Sequence, residues 1–158
     1  MLFAKKFSRT IFVSLLLLLT FPALSAEDYK FKGLDGSIVK LSDFKGKWVV
    51  VNYWATWCPT CLKEMPELNS FHEENENAVV LGVNYESITP KLAQQFLDDH
   101  MIEFPNVQEI NGPNGRTTSF GPLKGLPTTY IVNPSGKVVA TRVGLVYQKL
   151  LESLIKKI

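Results

Sequence analysis

Between Tyr29 and Ile158 the spacing of apolar positions changes several times, and each change marks an element. Tyr29 to Leu41 predicts a hairpin turning at Asp35-Gly36, with Ile38, Val39 and Leu41 as strand residues. Ser42 to Gly46 predicts a short turn. Trp48 to Trp54 is β-branched and aromatic on both faces except at Asn52, which is how a buried central strand reads. Pro59 then suits the first turn of a helix, and Leu62, Met65, Leu68 and Phe71 follow at helical spacing, with Pro66 predicting a kink. Ala78 to Tyr85 predicts a second buried strand. Thr89 predicts a helix cap with Pro90 behind it, and Leu92, Phe96 and Leu97 form that helix's apolar face. Residues 103–125 are irregular, broken by Pro105, Gly112, Pro113, Gly115, Gly121, Pro122 and Gly125, with a short helix expected around Arg116 to Phe120. Thr128 to Val132 and Lys137 to Val143 predict a second hairpin around Asn133-Pro134-Ser135-Gly136, and Tyr147 to Ile158 a closing amphipathic helix. Alternation of this kind predicts an α/β domain, a central mixed sheet flanked by helices.

The first residues follow a different rule. Lys5, Lys6 and Arg9 form a basic start, Ile11 to Leu24 is a nearly unbroken apolar run of 14 residues, and Ser25-Ala26 ends it with small side chains. A spanning helix needs roughly 20 apolar residues, so this run is short for one. The pattern is that of a secretory signal peptide over residues 1–26, cleaved after Ala26 or, as the runner-up, after Ser25, and followed by one domain over residues 27–158. The alternative is an uncleaved anchor. Export predicts a periplasmic location. Three of the 17 basic residues and none of the 15 acidic ones lie in that segment, so the remainder carries a net charge of −1. No basic patch points to nucleic acid. At 46% apolar and 20% charged residues, the chain has the composition of a folded protein.

The chemistry concentrates at Trp57-Cys58-Pro59-Thr60-Cys61. A Cys-x-x-Cys that opens a helix places its first sulfur where unpaired backbone N–H groups and the helix dipole favour thiolate. Cys58 is therefore the candidate attacking thiol and Cys61, one turn on, the candidate resolving thiol. A purely structural disulfide across so short a loop would contribute only about 2 kcal/mol on the loop-entropy relation. A zinc site would need four ligands, and only His72 and His100 could join the cysteines; no metal is expected, and no cofactor beyond the Cys58–Cys61 disulfide itself.

The run Val49 to Cys61 closely resembles the active-site strand and turn of thioredoxin-like proteins. Asp35-Gly36 with Leu41 to Lys47, and Gly125-Leu126-Pro127-Thr128-Thr129 running on to Val139, resemble the exported thiol–disulfide oxidoreductases of the TlpA/ResA and CcmG (DsbE) type. The resemblance implies a thioredoxin-like fold with an N-terminal β-hairpin extension. It implies a cis Pro127 beside the cysteines, with Leu126 and Pro127 docking an extended peptide as an added strand. Trp57 and Pro59 would border that contact. It also implies that Glu86 lies beneath the cysteines, partly desolvated, and exchanges a proton with Cys61. Asn52 stands where cytoplasmic thioredoxins usually carry an aspartate, which leaves Glu86 as the expected proton acceptor. Trp54 reads as core as readily as site. His72, His100, Glu73, Glu74 and Glu76 read as solvated surface. The stretch from Asn106 to Lys124 departs from the family pattern.

By resemblance the function is reduction of disulfides in exported proteins such as apocytochrome c, with electrons from a membrane thiol reductase. The same fold run in the opposite direction would be a general oxidant or isomerase, since about 30 mV, or 1.4 kcal/mol, tips such a couple. A non-catalytic copper chaperone is a third reading, because soft thiolates suit Cu(I). Against it, no histidine lies near Pro127 in the sequence.

Overall fold

The computed structural model describes residues 28–112 and 117–157, so the expected leader over residues 1–26 lies outside the described residues. The predicted first hairpin forms as β1 (Lys30–Gly33) and β2 (Ile38–Lys40), with Gly36 at φ 88° in a turn that glycine enters without steric cost. A 3-10 turn (Leu41–Phe44) leads into β3 (Trp48–Trp54), α1 (Pro59–Glu74), β4 (Ala78–Asn84) and α2 (Pro90–Asp99). Then come β5 (Asn106–Glu109), β6 (Thr117–Thr118), β7 (Gly121–Pro122), β8 (Thr128–Val132), β9 (Val138–Val143) and α3 (Gln148–Lys157).

Seven strands form one mixed sheet in the order β2-β1-β5-β4-β3-β8-β9. The central pair β3 and β4 is parallel, and β8 runs antiparallel to β3. The hairpin extends the same sheet, because β1 pairs with β5. One register row crosses four strands: Thr129 opposite Asn52, Asn52 opposite Gly82, and Gly82 opposite Asn106.

Strand alternation sorts the core into two faces. From β3, Val50 and Trp54 join Met65, Leu68 and Phe71 of α1, Leu97 of α2 and Leu151 of α3. Val49, Val51 and Tyr53 point the other way, with Phe31, Leu81, Val83 and Tyr130. Asn52 shares the helix-facing side with Val50 and Trp54.

Several sequence expectations change. β5 was not expected; it is stabilised by pairing on both edges, with β1 and β4, rather than by an apolar run of its own. In place of a helix near Arg116 to Phe120, residues 117–122 make a two-stranded hairpin, β6 against β7. Phe120 at its turn stacks on Tyr29 at 4.3 Å and on Tyr130 at 4.8 Å, covering the face opposite the helices. Residues 113–116 of the preceding glycine-rich stretch lie outside the described residues. On α2, Thr89 caps Leu92 N–H as expected, but Leu92 itself is exposed; Phe96 turns inward and stacks on Trp54 at 5.4 Å. His72 is half-buried rather than solvated, its Nδ1 accepting the Val80 N–H at 3.3 Å, and burial lowers its pKa. Helix α1 runs on through Pro66.

Candidate active site

The site lies at the carboxyl ends of β3 and β4. Tyr85 N–H bonds Trp54 O at 2.8 Å, holding the two strand ends together, and Cys58 N–H bonds Ala55 O at 3.1 Å to turn the chain into α1. Cys58 is the N-cap of that helix, its sulfur accepting the Cys61 N–H at 3.2 Å, and Pro59 is the first helical residue. Cys58 and Cys61 form a disulfide with Cα atoms 5.3 Å apart. Cys58 is 4% exposed and Cys61 0%, while Trp57 beside them is 66% exposed. Only the first sulfur's residue thus retains contact with solvent, and a large aromatic face stands open next to it.

The Leu126-Pro127 bond is cis. Pro127 O accepts Gly144 N–H at 2.9 Å, tying that segment to the loop between β9 and α3, and Thr128 Oγ1 donates to Gly125 O at 2.7 Å. Exposed apolar side chains stand at the end of β9 (Val143) and in the loop (Leu145 and Tyr147). Trp54 is core: it is 0% exposed, and its indole Nε1 donates to Asn106 Oδ1 at 2.8 Å.

The carboxyl buried in this region is Glu64, which the sequence reading passed over. It follows Cys61 by three residues on α1, a spacing that puts the two side chains on one helix face. It is 1% exposed. Its Oε1 accepts from Asn52 Nδ2 at 2.7 Å and its Oε2 from Val146 N–H at 2.8 Å. Burial pushes its pKa up to about 7, against the opposing pull of the Val146 N–H and the Asn52 amide. Among the described residues no cation neutralises it: both bonds come from neutral groups, which is why desolvation dominates.

Glu86, expected to be partly desolvated near the cysteines, lies just beyond β4 and meets Thr56 and Asn84. It is half-buried, and its Oε1 accepts from Thr56 N–H and from Asn84 Nδ2, both at 2.8 Å. Its Oε2 accepts from Thr56 Oγ1 at 3.1 Å. Glu86 therefore braces the turn two residues before Cys58, and the fully buried carboxyl is Glu64 instead.

Among the described residues no three His, Cys, Asp or Glu side chains gather so as to hold a metal ion. A groove of about 1040 Å³ opens at the opposite end of β3, between Lys45, Lys47 and the Asn133–Lys137 turn; neither cysteine lines it. The chemistry therefore sits apart from that groove, where Leu126 packs against the core cluster that includes both cysteines and Val146.

A Cys-x-x-Cys disulfide at a helix start, with a cis-proline leading into the strand paired with the one before it in a mixed sheet, defines a thioredoxin-fold thiol–disulfide oxidoreductase. The chain matches the AhpC/TSA family over residues 22–141 and belongs to that family. It is 33% identical over 120 residues to thiol-disulfide oxidoreductase ResA of Oceanobacillus iheyensis, covering 72% of this chain and 60% of that protein. It is 33% identical over 130 residues to thioredoxin-like protein YneN of Bacillus subtilis, covering 80% and 74%. Among solved structures, a DsbF homologue from Corynebacterium diphtheriae superposes with a TM-score of 0.73 at 28% identity, covering 83% of this chain and 84% of that one.

Proposed function

We propose that this protein reduces disulfides in exported proteins, apocytochrome c among them, using the Cys58–Cys61 pair. The observation that carries the reading is the buried Glu64 carboxylate one turn beyond Cys61. In the reduced protein the Cys58 thiolate attacks a substrate disulfide, breaks its S–S bond, releases the first substrate thiolate and forms a mixed disulfide. Glu64 accepts the proton of Cys61, whose thiolate attacks the Cys58 sulfur and releases the second substrate thiolate. Two electrons pass to substrate and the Cys58–Cys61 disulfide remains, to be reduced again by a membrane thiol reductase. A carboxylate with a pKa of about 7 is matched to take a thiol proton near neutral pH. Leu126, Pro127, Trp57 and Pro59 hold the substrate as an extended strand across the pair.

The leader-like residues 1–26 support export to the periplasm, either with cleavage or with retention as an anchor. Among the described residues no helix is long and apolar enough to cross a membrane.

Trapping tests the reading. Cys61→Ser should leave substrate held covalently on Cys58 as a mixed disulfide. Redox titration of the wild-type pair against glutathione should give a reducing potential. A strongly oxidising potential would overturn the direction, and failure of Cys58 to form any mixed disulfide would overturn the role of the pair.

A further inference from the structure

Asn52 is wholly buried, and its amide is only half used. Both Nδ2 hydrogens are committed, one to Glu64 Oε1 at 2.7 Å and one to Thr129 Oγ1 at 3.0 Å. The carbonyl Oδ1 on the same amide is buried with no hydrogen-bond partner among the described residues. This orientation suits an ionised Glu64, which only accepts. It does not suit the protonated acid. A proton on Oε1 would face the Asn52 N–H, and a proton on Oε2 would face the Val146 N–H, so either position sets donor against donor.

The missing acceptor is the orphaned Oδ1. Nitrogen and oxygen of a side-chain amide are nearly the same size, so a half-turn about the terminal bond exchanges them with little movement of neighbours. Oδ1 then stands where Nδ2 stood, within reach of both Glu64 Oε1 and Thr129 Oγ1. It would accept the Glu64 O–H, and also the Thr129 hydroxyl, which can act as donor or acceptor. We propose that the Asn52 amide turns over as Glu64 gains or loses its proton, and that Asn52 and Thr129 are positioning residues holding that carboxyl in place in both protonation states. This rests on the reading of Glu64 as a group that exchanges a proton.

The surrounding titratable groups do not supply an alternative partner. Cys61 precedes Glu64 on α1 and is held in the disulfide. Glu67 follows it, exposed and accepting from Gln148 N–H at 3.1 Å. On the β9 side Arg142 is exposed and donates to Leu145 O at 3.0 Å, and Tyr147 before α3 is exposed. β4 carries no titratable residue, and β3 and β8 place Asn52 and Thr129 against the carboxyl. An aspartate at position 52 could not donate to the carboxylate, and a leucine could serve neither state.

The test is magnetic resonance on the full, oxidised chain labelled with nitrogen-15 and carbon-13, followed from pH 5 to 9, where the disulfide cysteines do not titrate. The Glu64 carboxyl carbon reports the proton itself. The Asn52 Nδ2 signals should shift with the same midpoint, and their cross-peaks to the Thr129 methyl should be lost on the acid side. In Glu64→Gln the Asn52 signals should no longer respond to pH. A titrating Glu64 beside unmoved Asn52 signals would overturn the proposal alone. A Glu64 that does not titrate in this range would overturn both the proposal and the proton-exchange reading.

Discussion

The carboxylate of Glu64 accepts the backbone N–H of Val146 at 2.8 Å, across 82 residues of sequence. One side chain thereby joins the helix that carries the cysteines to the loop that bonds Pro127 through Gly144. Whatever changes the charge of Glu64 acts on both.

Stability should carry the imprint of that charge. The native pKa of Glu64 is raised to about 7 from 4.5, so between those values the native state holds a proton that the unfolded chain has released. Stability therefore falls as pH rises through that window and is flat above it, a contribution of about 3 kcal/mol over the full range. Urea unfolding of the oxidised protein at pH 5 and pH 8 should show the loss, and Glu64→Gln should remove it. Equal pH dependence in the two proteins would contradict the buried acid.

The same group should shape the rate. Resolution of the mixed disulfide is expected to accelerate as pH passes through about 7, where Glu64 becomes able to accept a proton. Glu64→Gln should slow that step by about a hundredfold and flatten its profile. Glu86→Gln should keep the wild-type profile, because Glu86 braces Thr56 through hydrogen bonds at 2.8 and 3.1 Å rather than occupying the buried position. Single-turnover measurements on the two variants distinguish the carboxyls; a flattened profile in Glu86→Gln would reverse the assignment.

Trp57→Ala should separate binding from folding. At 66% exposure the indole contributes little to the core, so unfolding should shift by no more than about 0.5 kcal/mol. Loss of a large aromatic contact should raise KM for a protein disulfide severalfold, with little effect on a small-molecule disulfide. An equal effect on both substrates would place the residue in the chemistry rather than the contact.

Phe120→Ala should destabilise the protein by about 2–3 kcal/mol, less than a fully buried phenylalanine, because the ring is half-buried. It should loosen the β6–β7 hairpin that the ring pins against Tyr29 and Tyr130. Hydrogen exchange at residues 117–122 would register the release, and unchanged protection there would show that the hairpin is held some other way, for instance by the Ser119–Glu109 bonds at 2.6 and 3.1 Å.

Local patterns were legible in the sequence. Cys58, Cys61 and Pro59 form a contiguous motif whose chemistry follows from a helix start, and the buried strands β3 and β4 are apolar runs broken only by Asn52 and, at the end of β4, Asn84. Glu64 was not found because a glutamate on an amphipathic helix ordinarily faces water. A usable signal was present: Cys61, Glu64, Met65 and Leu68 follow the spacing of a single buried stripe, so the charge falls on the apolar side. For Glu86, a place just after a strand predicts proximity to the site but not which atoms it meets, here Thr56 and Asn84. β5 was hidden because Asn106-Val107-Gln108-Glu109 has one apolar residue, and its strand character comes from partners distant in sequence. The β6–β7 hairpin is two residues to a strand, too short for any periodicity.

The register row through Thr129, Asn52, Gly82 and Asn106 gives an otherwise greasy sheet a polar seam running crosswise under the helices. Gly82 is the gap in it: a Cβ there would collide with the Asn106 side chain and come within 2.9 Å of the Phe104 ring. Asn106 leans into that gap and holds the Trp54 indole. Asn52, on the other side of Gly82, holds Glu64. A bare methyl added at position 82 would thus be felt at the tryptophan four residues ahead of the reactive cysteine, although the glycine itself touches neither sulfur nor substrate.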